Sequence, residues 1–287
     1  MFSVQSDPLI NDRVNGCLIE RAMESMWNVR KLGGKMGHYK VWVSEFLLSL
    51  IQVEKARTFL DLGCGKGADL IGIARIASPD SSLVGLDFSE NSIQVATISA
   101  STDDRIRFLR HDMETGLPFD DNTFDVVISC NVLECIQHKE LWMKELSRVL
   151  RPGGQVVMAH YDWDTQIFNA VDKSLFRHVI QTYNDWQQPW MNACDAWMGR
   201  RLNGLFQTSG LFSGAVIPYV HVETAYEEGQ RGYSLVHEEL VSLVEHAILG
   251  ADDFSRFEKE LADLAANGEY FYSINLYAYV GNSTKSA

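Results

Sequence analysis

The stretch TFLDLGCGKGA, residues 58–68, determines how the rest of the chain can fold. An apolar run ends at Leu62, three glycines follow at alternate positions, and a helical pattern begins at Ala68. Glycine adopts positive φ at little cost and has no Cβ, so such a turn brings the backbone close to a ligand. The peptide N–H groups then face outward at the start of the helix. The stretch therefore predicts a strand, a tight turn and a helix that together form a nucleotide-type site.

The glycine spacing alone also fits the looser dinucleotide pattern G-x-G-x-x-G/A, at Gly63, Gly65 and Ala68. Asp61 distinguishes a phosphate-bearing dinucleotide from a cationic ligand without phosphate. At the end of the strand its carboxylate would repel a pyrophosphate, because like charges about 4 Å apart cost energies on the kcal/mol scale outside bulk water. It would attract an ammonium or sulfonium group. The stretch resembles the first motif of the class I S-adenosylmethionine-dependent methyltransferases, whose cofactor carries both groups and no phosphate.

Further motifs of that family follow in order. Predicted strands at 82–87 and 106–110 alternate with helical patterns, which is typical of parallel βαβ units. The stretch LPFDDNTFDVVISC, residues 117–130, resembles the family's L-P-F-x-D-x-x-F-D sequence and fourth strand, and RPGG at 151–154 resembles its turn into the fifth strand, 155–159. The resemblance implies an α/β fold, a Rossmann-like class I methyltransferase sheet flanked by helices.

The resemblance also assigns cofactor contacts to polar residues at the strand ends. Asp87 lies 24 residues after Gly63, near the spacing at which nucleotide-binding folds place a carboxylate on the ribose hydroxyls. Such charge-assisted hydrogen bonds are the stronger kind. In the resembled family an acid at Asp112 holds the adenine amino group, Met113 covers the ring, and Asn131 faces the amino-acid half. The predicted cofactor residues are Asp61, Gly63, Gly65, Asp87, Phe88, Asp112, Met113 and Asn131.

Composition and periodicity predict four segments. Residues 1–50 have helical spacing and a glycine-rich linker, which indicates an N-terminal helical cover over the cofactor cleft. Residues 51–160 are the cofactor-binding core. Residues 161–214 carry four tryptophans and are interpreted as a helical substrate lid inserted after the fifth strand. Residues 215–287 complete the sheet, with a helical insertion between its last two strands.

The candidate acceptor-binding residues are aromatic side chains of the cover and the lid, together with His160. Aromatic rings offer a large apolar area and a cation-binding face, although each could equally serve packing. His160 is expected at the carboxyl end of the fifth strand, where open α/β sheets bind ligands, and imidazole titrates near neutral pH. His160 is therefore the candidate general base. The predicted set is Tyr39, His160, Trp163, Trp186, Trp190 and Trp197.

Charge and cysteine content narrow the possible partners and location. The 287 residues have a formal net charge of −13, which argues against broad contact with nucleic-acid phosphates or anionic membranes. Five scattered cysteines without a C-x-x-C pair favour reduced thiols and give no zinc site. The N-terminus does not resemble a signal peptide, and no apolar run is long enough to cross a bilayer. We therefore expect a cytoplasmic protein that uses no metal.

These observations favour a methyltransferase that moves a methyl group from S-adenosylmethionine to nitrogen or oxygen of a small molecule by in-line displacement. Methyl transfer to carbon of a quinone- or polyketide-like acceptor is an alternative. An NAD(P)-dependent oxidoreductase is opposed by Asp61 and by the lack of a recognisable Tyr-x-x-x-Lys pair. A cofactor-binding module without turnover is the remaining alternative.

Overall fold

One mixed sheet organises the molecule. The computed structural model describes residues 39–286, and side chains from Val43 onward. Within that range seven strands lie in the order β3-β2-β1-β4-β5-β7-β6. Neighbours from β3 to β5 are parallel, and β7 is antiparallel to both β5 and β6. The predicted Rossmann-like α/β fold is confirmed. The strands are β1 Thr58–Leu62, β2 Ser82–Asp87, β3 Ile106–Arg110, β4 Phe124–Cys130, β5 Leu150–Phe168, β6 Phe212–Glu223 and β7 Tyr272–Ser283.

Helices cover both faces of this sheet, because successive strand residues point to opposite sides. Phe59 packs into one apolar cluster and Leu60 into the other. Within residues 39–286, short 3₁₀ turns occur at Val53–Lys55, Met113–Thr115 and Leu133–Cys135. The helices are α1 Tyr39–Leu50, α2 Ala68–Ala74, α3 Glu90–Ser99, α4 Lys139–Val149, α5 Lys173–Asn184, α6 Met198–Ser209, α7 Arg231–Ser234, α8 Val241–Glu245 and α9 Ala251–Ala266, with a π-helical segment Leu235–Leu240 joining α7 to α8.

The order in which strands are added to the sheet changes side at β1, so β1 and β4 flank a topological switch point. From β1 the chain proceeds outward through β2 to β3, and it then returns to the other side of β1 as β4. Open α/β sheets bind ligands at such a switch point, beside the carboxyl ends of the strands. Leu62 of β1 pairs with Ser129 of β4, so the glycine turn and the end of β4 lie side by side.

The segment after the fifth strand differs from the predicted lid of residues 161–214. β5 continues to Phe168 because its antiparallel partner β7 extends past the parallel neighbour β4, which ends at Cys130. Helix α6 buries Met198, Leu202 and Phe206 against the sheet, so it belongs to the core layer. Between α5 and α6, residues 185–197 form a loop without regular secondary structure.

Helices α7, α8 and α9 lie between β6 and β7, where the sequence predicts a helical insertion. This insertion packs into the same apolar cluster as α1 and α2. Most of the predicted cover, residues 1–50, lies outside the described residues. Its last helix, α1, buries Phe46, Leu47 and Leu50. Among the residues described here, no helix has the length and apolarity needed to cross a membrane.

Candidate functional site

The glycine turn after β1 adopts backbone conformations that other residues rarely reach. Gly63, Gly65 and Gly67 have φ angles of +73°, +50° and +81°. A Cβ at Gly63 would lie 2.1 Å from Cγ2 of Val132, so a side chain is excluded there by contact as well as by φ. The N–H groups of Gly63 and Cys64 both donate to the Leu86 carbonyl, at 2.8 and 2.9 Å, which fixes the turn to the end of β2.

Three carboxylates surround this turn. Asp61 is buried, and its Oδ2 has no hydrogen-bond partner among the described residues. Burial, and then the charges of Asp69 and Asp87, raise the pKa of Asp61 well above its usual value. Ser44 Oγ donates to Asp69 at 2.5 Å. Burial also raises the pKa of Asp69, although the Ser44 hydroxyl opposes that rise.

Asp87 is held by the backbone of the same turn. Its Oδ2 accepts from the N–H of Gly65 at 2.9 Å, and its Oδ1 accepts from Ser89 at 2.8 Å. Within residues 43–286 no lysine or arginine forms an ion pair with Asp87, Asp61 or Asp69. The N–H groups that the sequence led us to expect on the ligand side are instead taken up within the protein, those of Gly63 and Cys64 by the Leu86 carbonyl and that of Gly65 by Asp87. No described lysine or arginine offsets the negative charge around the turn, so the turn suits a ligand that is cationic there.

A cavity of about 610 Å³ opens beside this turn. Asp61 and Gly65 are not part of its wall. Asp61 lies two residues before Gly63, and Gly63 does line the cavity. Gly65 does not line it, but its N–H donates to Asp87, which does. The structure thus brings most of the predicted cofactor residues to one space. Those that line it are Gly63, Asp87, Phe88, Asp112, Met113 and Asn131.

Asn131 forms the wall where β4 ends. Its φ angle is +57°, a left-handed conformation that asparagine tolerates better than most residues. Its N–H donates to the Ala159 carbonyl at 3.0 Å, and its side-chain Oδ1 accepts from the N–H of Tyr161 at 2.9 Å. Both contacts fasten the turn after β4 to β5.

Several cavity residues were not predicted from the sequence. Arg110 and His111 immediately precede Asp112, and Val132 to Ile136 follow the end of β4, so their positions just after strands were the available signal. Asn192 reaches the cavity only because the loop 185–197 folds over it, and no local pattern indicates that. The additional lining residues are Arg110, His111, Cys130, Val132, Cys135, Ile136 and Asn192.

The two cavity cysteines carry protonated thiols at neutral pH. Burial, as the largest cause, raises the pKa of Cys130 well above its usual value and that of Cys135 to about 12. Because the thiolate is the reactive form, neither side chain is an activated nucleophile. In the part of the chain that the structure describes, no group of three or more metal-ligating side chains is placed to hold a metal ion.

His160 does not occupy the open rim that the sequence predicts. It is 0% exposed, because β5 runs on past it and pairs it with Tyr277 of β7. Its Nδ1 donates to the Tyr161 carbonyl at 2.7 Å, and its Nε2 lies 3.8 Å from the Glu134 carboxylate. The side chain does not line the cavity. A general base must reach the proton that it removes, so this geometry does not favour direct base catalysis by His160.

The predicted acceptor-binding tryptophans are dispersed. Trp190 lines the cavity. Trp163 donates from Nε1 to Glu134 at 2.6 Å and packs against Tyr161 and Tyr183, with ring centroids 5.1 and 6.0 Å away. The other predicted rings lie elsewhere: Trp186 packs on His246, Trp197 lies under the guanidinium groups of Arg200 and Arg201, and the Tyr39 side chain is outside the described side chains.

Comparisons with known proteins agree with this architecture. Residues 53–210, more than half of the chain, match the model of a family described as a methyltransferase domain. A solved structure of the YcgJ protein from Bacillus subtilis superposes with a TM-score of 0.55 at 14% identity, over 86% of this chain and 100% of that one. At that identity the likeness concerns the fold.

Two curated relatives cover different shares of the sequence. An uncharacterized 37.1 kDa protein in transposon TN4556 of Streptomyces fradiae is 25% identical over 238 residues, 83% of this chain and 66% of that protein. Demethylmenaquinone methyltransferase of Staphylococcus carnosus (strain TM300) is 36% identical over 146 residues, 50% of this chain and 60% of that protein. The chain therefore spans about two thirds or less of the length of these relatives.

Proposed function

The chain belongs to the methyltransferase domain family, and we propose that it transfers a methyl group from S-adenosylmethionine to nitrogen or oxygen of a small molecule. One observation carries the proposal. The carboxylates of Asp61, Asp69 and Asp87 surround the glycine turn, and Asp61 Oδ2 has no partner among the described residues. A phosphate-bearing cofactor would be repelled there, whereas a ligand with an ammonium and a sulfonium group is attracted.

The residues around the cavity fit this cofactor along its length. Asp61 would attract the ammonium group of the amino-acid end, and Asp87 would accept from the ribose hydroxyls. Asp112 and Met113 would contact the purine. When bound, S-adenosylmethionine supplies an electrophilic methyl group on a positively charged sulfur.

The chain's own contribution is chiefly alignment. Holding two reactants in the correct geometry lowers the activation barrier, by roughly 7–11 kcal/mol in the best cases. Asn131, fixed to β5 by two hydrogen bonds, gives the cavity a rigid wall at the end of β4. The neutral Cys130 and Cys135 thiols make this wall weakly polar. Since His160 is buried away from the cavity, an acceptor that reacts without prior deprotonation by the protein, such as a neutral amine, fits best.

We further propose that the protein is cytoplasmic, acts on a small molecule and binds neither nucleic acid nor membrane. The net charge of −13 supports this, because clustered lysine and arginine residues are what phosphate backbones and anionic lipids require. Residues 1–50 are proposed as a helical cover over the cofactor cleft, and the loop 185–197 is proposed as the remaining part of the predicted lid.

The test is product formation. Purified protein is incubated with S-adenosylmethionine and panels of small amines, phenols and reduced quinones, and the products are identified by mass spectrometry. Methylation of an amine or a hydroxyl group supports the proposal. Turnover confined to a ring carbon would contradict it, and binding of the cofactor without turnover of any acceptor would favour a non-catalytic module.

Carbon methylation of a quinone-like acceptor is the second candidate. The similarity to demethylmenaquinone methyltransferase, 36% identity over half of this chain, favours it. The matched 146 residues are 60% of that relative, so its substrate does not transfer with the alignment. The reduced quinones in the acceptor panel test this candidate directly.

A further inference from the structure

We propose that Trp190 and Phe88 form an aromatic cover over the purine end of the cavity, so that Trp190 contacts the cofactor and not the methyl acceptor. The inference rests on the proposed use of S-adenosylmethionine and adds a binding residue to it. It also revises the role that the sequence predicts for Trp190, which was acceptor binding.

The two rings stack on each other at the wall of the cavity. Their centroids are 6.1 Å apart and their planes are inclined by 19°, an offset stacked arrangement. Phe88 is 52% exposed and Trp190 51% exposed, and both line the cavity. Two large apolar rings that remain half exposed beside a cavity leave apolar area for a flat ligand to cover.

The position of this pair identifies the purine end. Phe88 directly follows Asp87, the proposed ribose ligand, and the Phe88 carbonyl accepts from Arg110 Nε at 3.1 Å. Asp112 and Met113, which are proposed to contact the purine, line the same cavity. Gly63 and Asn131 lie toward the proposed amino-acid end, where β1 and β4 terminate.

The loop that carries Trp190 is fastened at its base and bonded to itself at its tip. At the base, the N–H of Trp163 donates to the Ala196 carbonyl at 2.9 Å. At the tip, Trp190 Nε1 donates to Gln188 Oε1 at 2.7 Å, and the N–H of Met191 donates to the Gln188 carbonyl at 2.9 Å. The tip therefore presents the indole as part of a compact turn whose hydrogen bonds lie within the loop.

The spacing of the rings implies that the cover opens to admit a ligand between them. A carbon–carbon contact needs about 3.5–4.0 Å, so an inserted purine requires ring planes about 7–8 Å apart. The rings stand closer than that. Trp190 is therefore expected to slow ligand release as well as to strengthen binding.

The experiment compares two ligands that share the purine. S-adenosylhomocysteine carries the amino-acid end, and 5′-methylthioadenosine lacks it. Base–aromatic stacking is worth about 1–3 kcal/mol per base, so Trp190→Ala is expected to weaken both ligands about tenfold in calorimetric titration. Trp190→Phe should retain most of the affinity. Asp61→Asn, in contrast, should weaken S-adenosylhomocysteine and leave 5′-methylthioadenosine unchanged.

A matched control and a folding check accompany these variants. Ile98→Ala removes an exposed apolar side chain on α3, away from the cavity, and should bind both ligands as the wild type does. The melting temperature of each variant establishes that it is folded. Phe88→Ala combined with Trp190→Ala should cost little more than either change alone, because each ring needs the other to complete the cover.

The possible outcomes distinguish failure of the aromatic cover from failure of the proposed function. Unchanged affinity of Trp190→Ala for both ligands overturns the cover, and so does a loss confined to S-adenosylhomocysteine. Fully additive losses in the double variant would show that the rings act separately and would also overturn it. If the wild-type protein binds neither ligand, the proposed function itself fails, whatever the variants do.

Discussion

The proposed cofactor binding depends most on Asp61, and in the ligand-free protein this residue is expected to destabilise the fold. Its carboxylate is buried next to two further carboxylates, and Oδ2 has no partner among the described residues. Burying an ionised group without a counter-charge destabilises the folded state. A bound cation would compensate that cost, so the same feature that weakens the free protein favours the proposed cofactor.

Asp61→Asn is therefore expected to stabilise the ligand-free protein at neutral pH. The gain should be on the order of 1 kcal/mol or more, about 2–4 °C in Tm. The folded-state pKa is raised above the unfolded value of 3.8, so the penalty exists when the carboxyl is ionised and disappears as it takes up a proton. The stabilisation should accordingly shrink as the pH is lowered through the raised folded-state pKa toward 3.8.

Thermal unfolding of both proteins across that pH range measures the effect. Asp125→Asn is the control with the opposite sign. Asp125 accepts from the Arg57 and Thr58 backbone and from Arg151, which together lower its pKa against the effect of burial, so its loss should destabilise. An Asp61→Asn protein less stable than wild type at neutral pH would contradict the account of this carboxylate.

The residues that the sequence predicts for the cofactor line the cavity more often than those that it predicts for the acceptor. Strand-end acids such as Asp87 and Asp112 follow from the parallel βαβ pattern, because that pattern fixes where each strand stops. His160 could not be placed in the same way, since the end of β5 depends on β7, more than one hundred residues later. Its burial is a tertiary property.

At the scale of elements, α6 packs directly on the backbone of β5. A Cβ on Gly199 would lie 2.9 Å from both the Asp162 nitrogen and the His160 carbonyl oxygen. Backbone atoms cannot move aside as a flexible side chain can. Gly199 therefore sets the distance between this helix and the strand that carries His160.

Gly199→Ala is expected to destabilise the protein by about 1–3 kcal/mol through overpacking. Gly204→Ala, on the same helix, meets no atom within 4 Å and should stabilise it by about 0.5–1 kcal/mol, because alanine favours the helix. Urea denaturation of the two variants measures both effects. Equal behaviour of the pair would contradict the close packing of α6 on β5.

The elements within the predicted lid, residues 161–214, could not be predicted correctly from the sequence. Four tryptophans within residues 161–214 suggested one unit, yet the structure divides the segment among β5, α5, the loop 185–197 and α6. Aromatic content indicates that a segment is buried, not which surface it packs on. Only the tertiary contacts distinguish the core helix α6 from the loop that reaches the cavity.

Across the whole molecule, a buried ion pair joins the late helical insertion to α5. Arg231 is buried, and its guanidinium donates to both carboxylate oxygens of Glu239, at 2.5 and 3.0 Å. Tyr183 of α5 donates to the same carboxylate. Arg231 also lies 5.4 Å from the centre of the Trp163 ring of β5, so three separate parts of the chain meet at this side chain.

Glu239→Ala is expected to destabilise the protein by about 3 kcal/mol, because it removes the carboxylate that accepts from the buried Arg231 guanidinium. Glu238→Ala changes the exposed neighbouring residue and should have an effect within about 0.5 kcal/mol. Chemical denaturation compares them. If the two variants unfold at the same denaturant concentration, the ion pair does not stabilise the assembled fold.

The overall architecture was predictable because family motifs fix the order of the strands, whereas the position of the loop 185–197 was not. Four pairs of described strands are parallel neighbours of the kind that the βαβ pattern requires, and the cavity at the switch point follows from that topology. The approach of Trp190 to Phe88 joins residues about one hundred positions apart, and no local sequence signal specifies it.

Calorimetric titration of the purified chain with S-adenosylmethionine, and separately with NAD⁺, tests the central claim most directly. We predict saturable binding of the sulfonium compound at one site per chain and no heat of binding for the dinucleotide, since its pyrophosphate would meet the Asp61, Asp69 and Asp87 carboxylates. Binding of NAD⁺ without binding of S-adenosylmethionine would contradict the account.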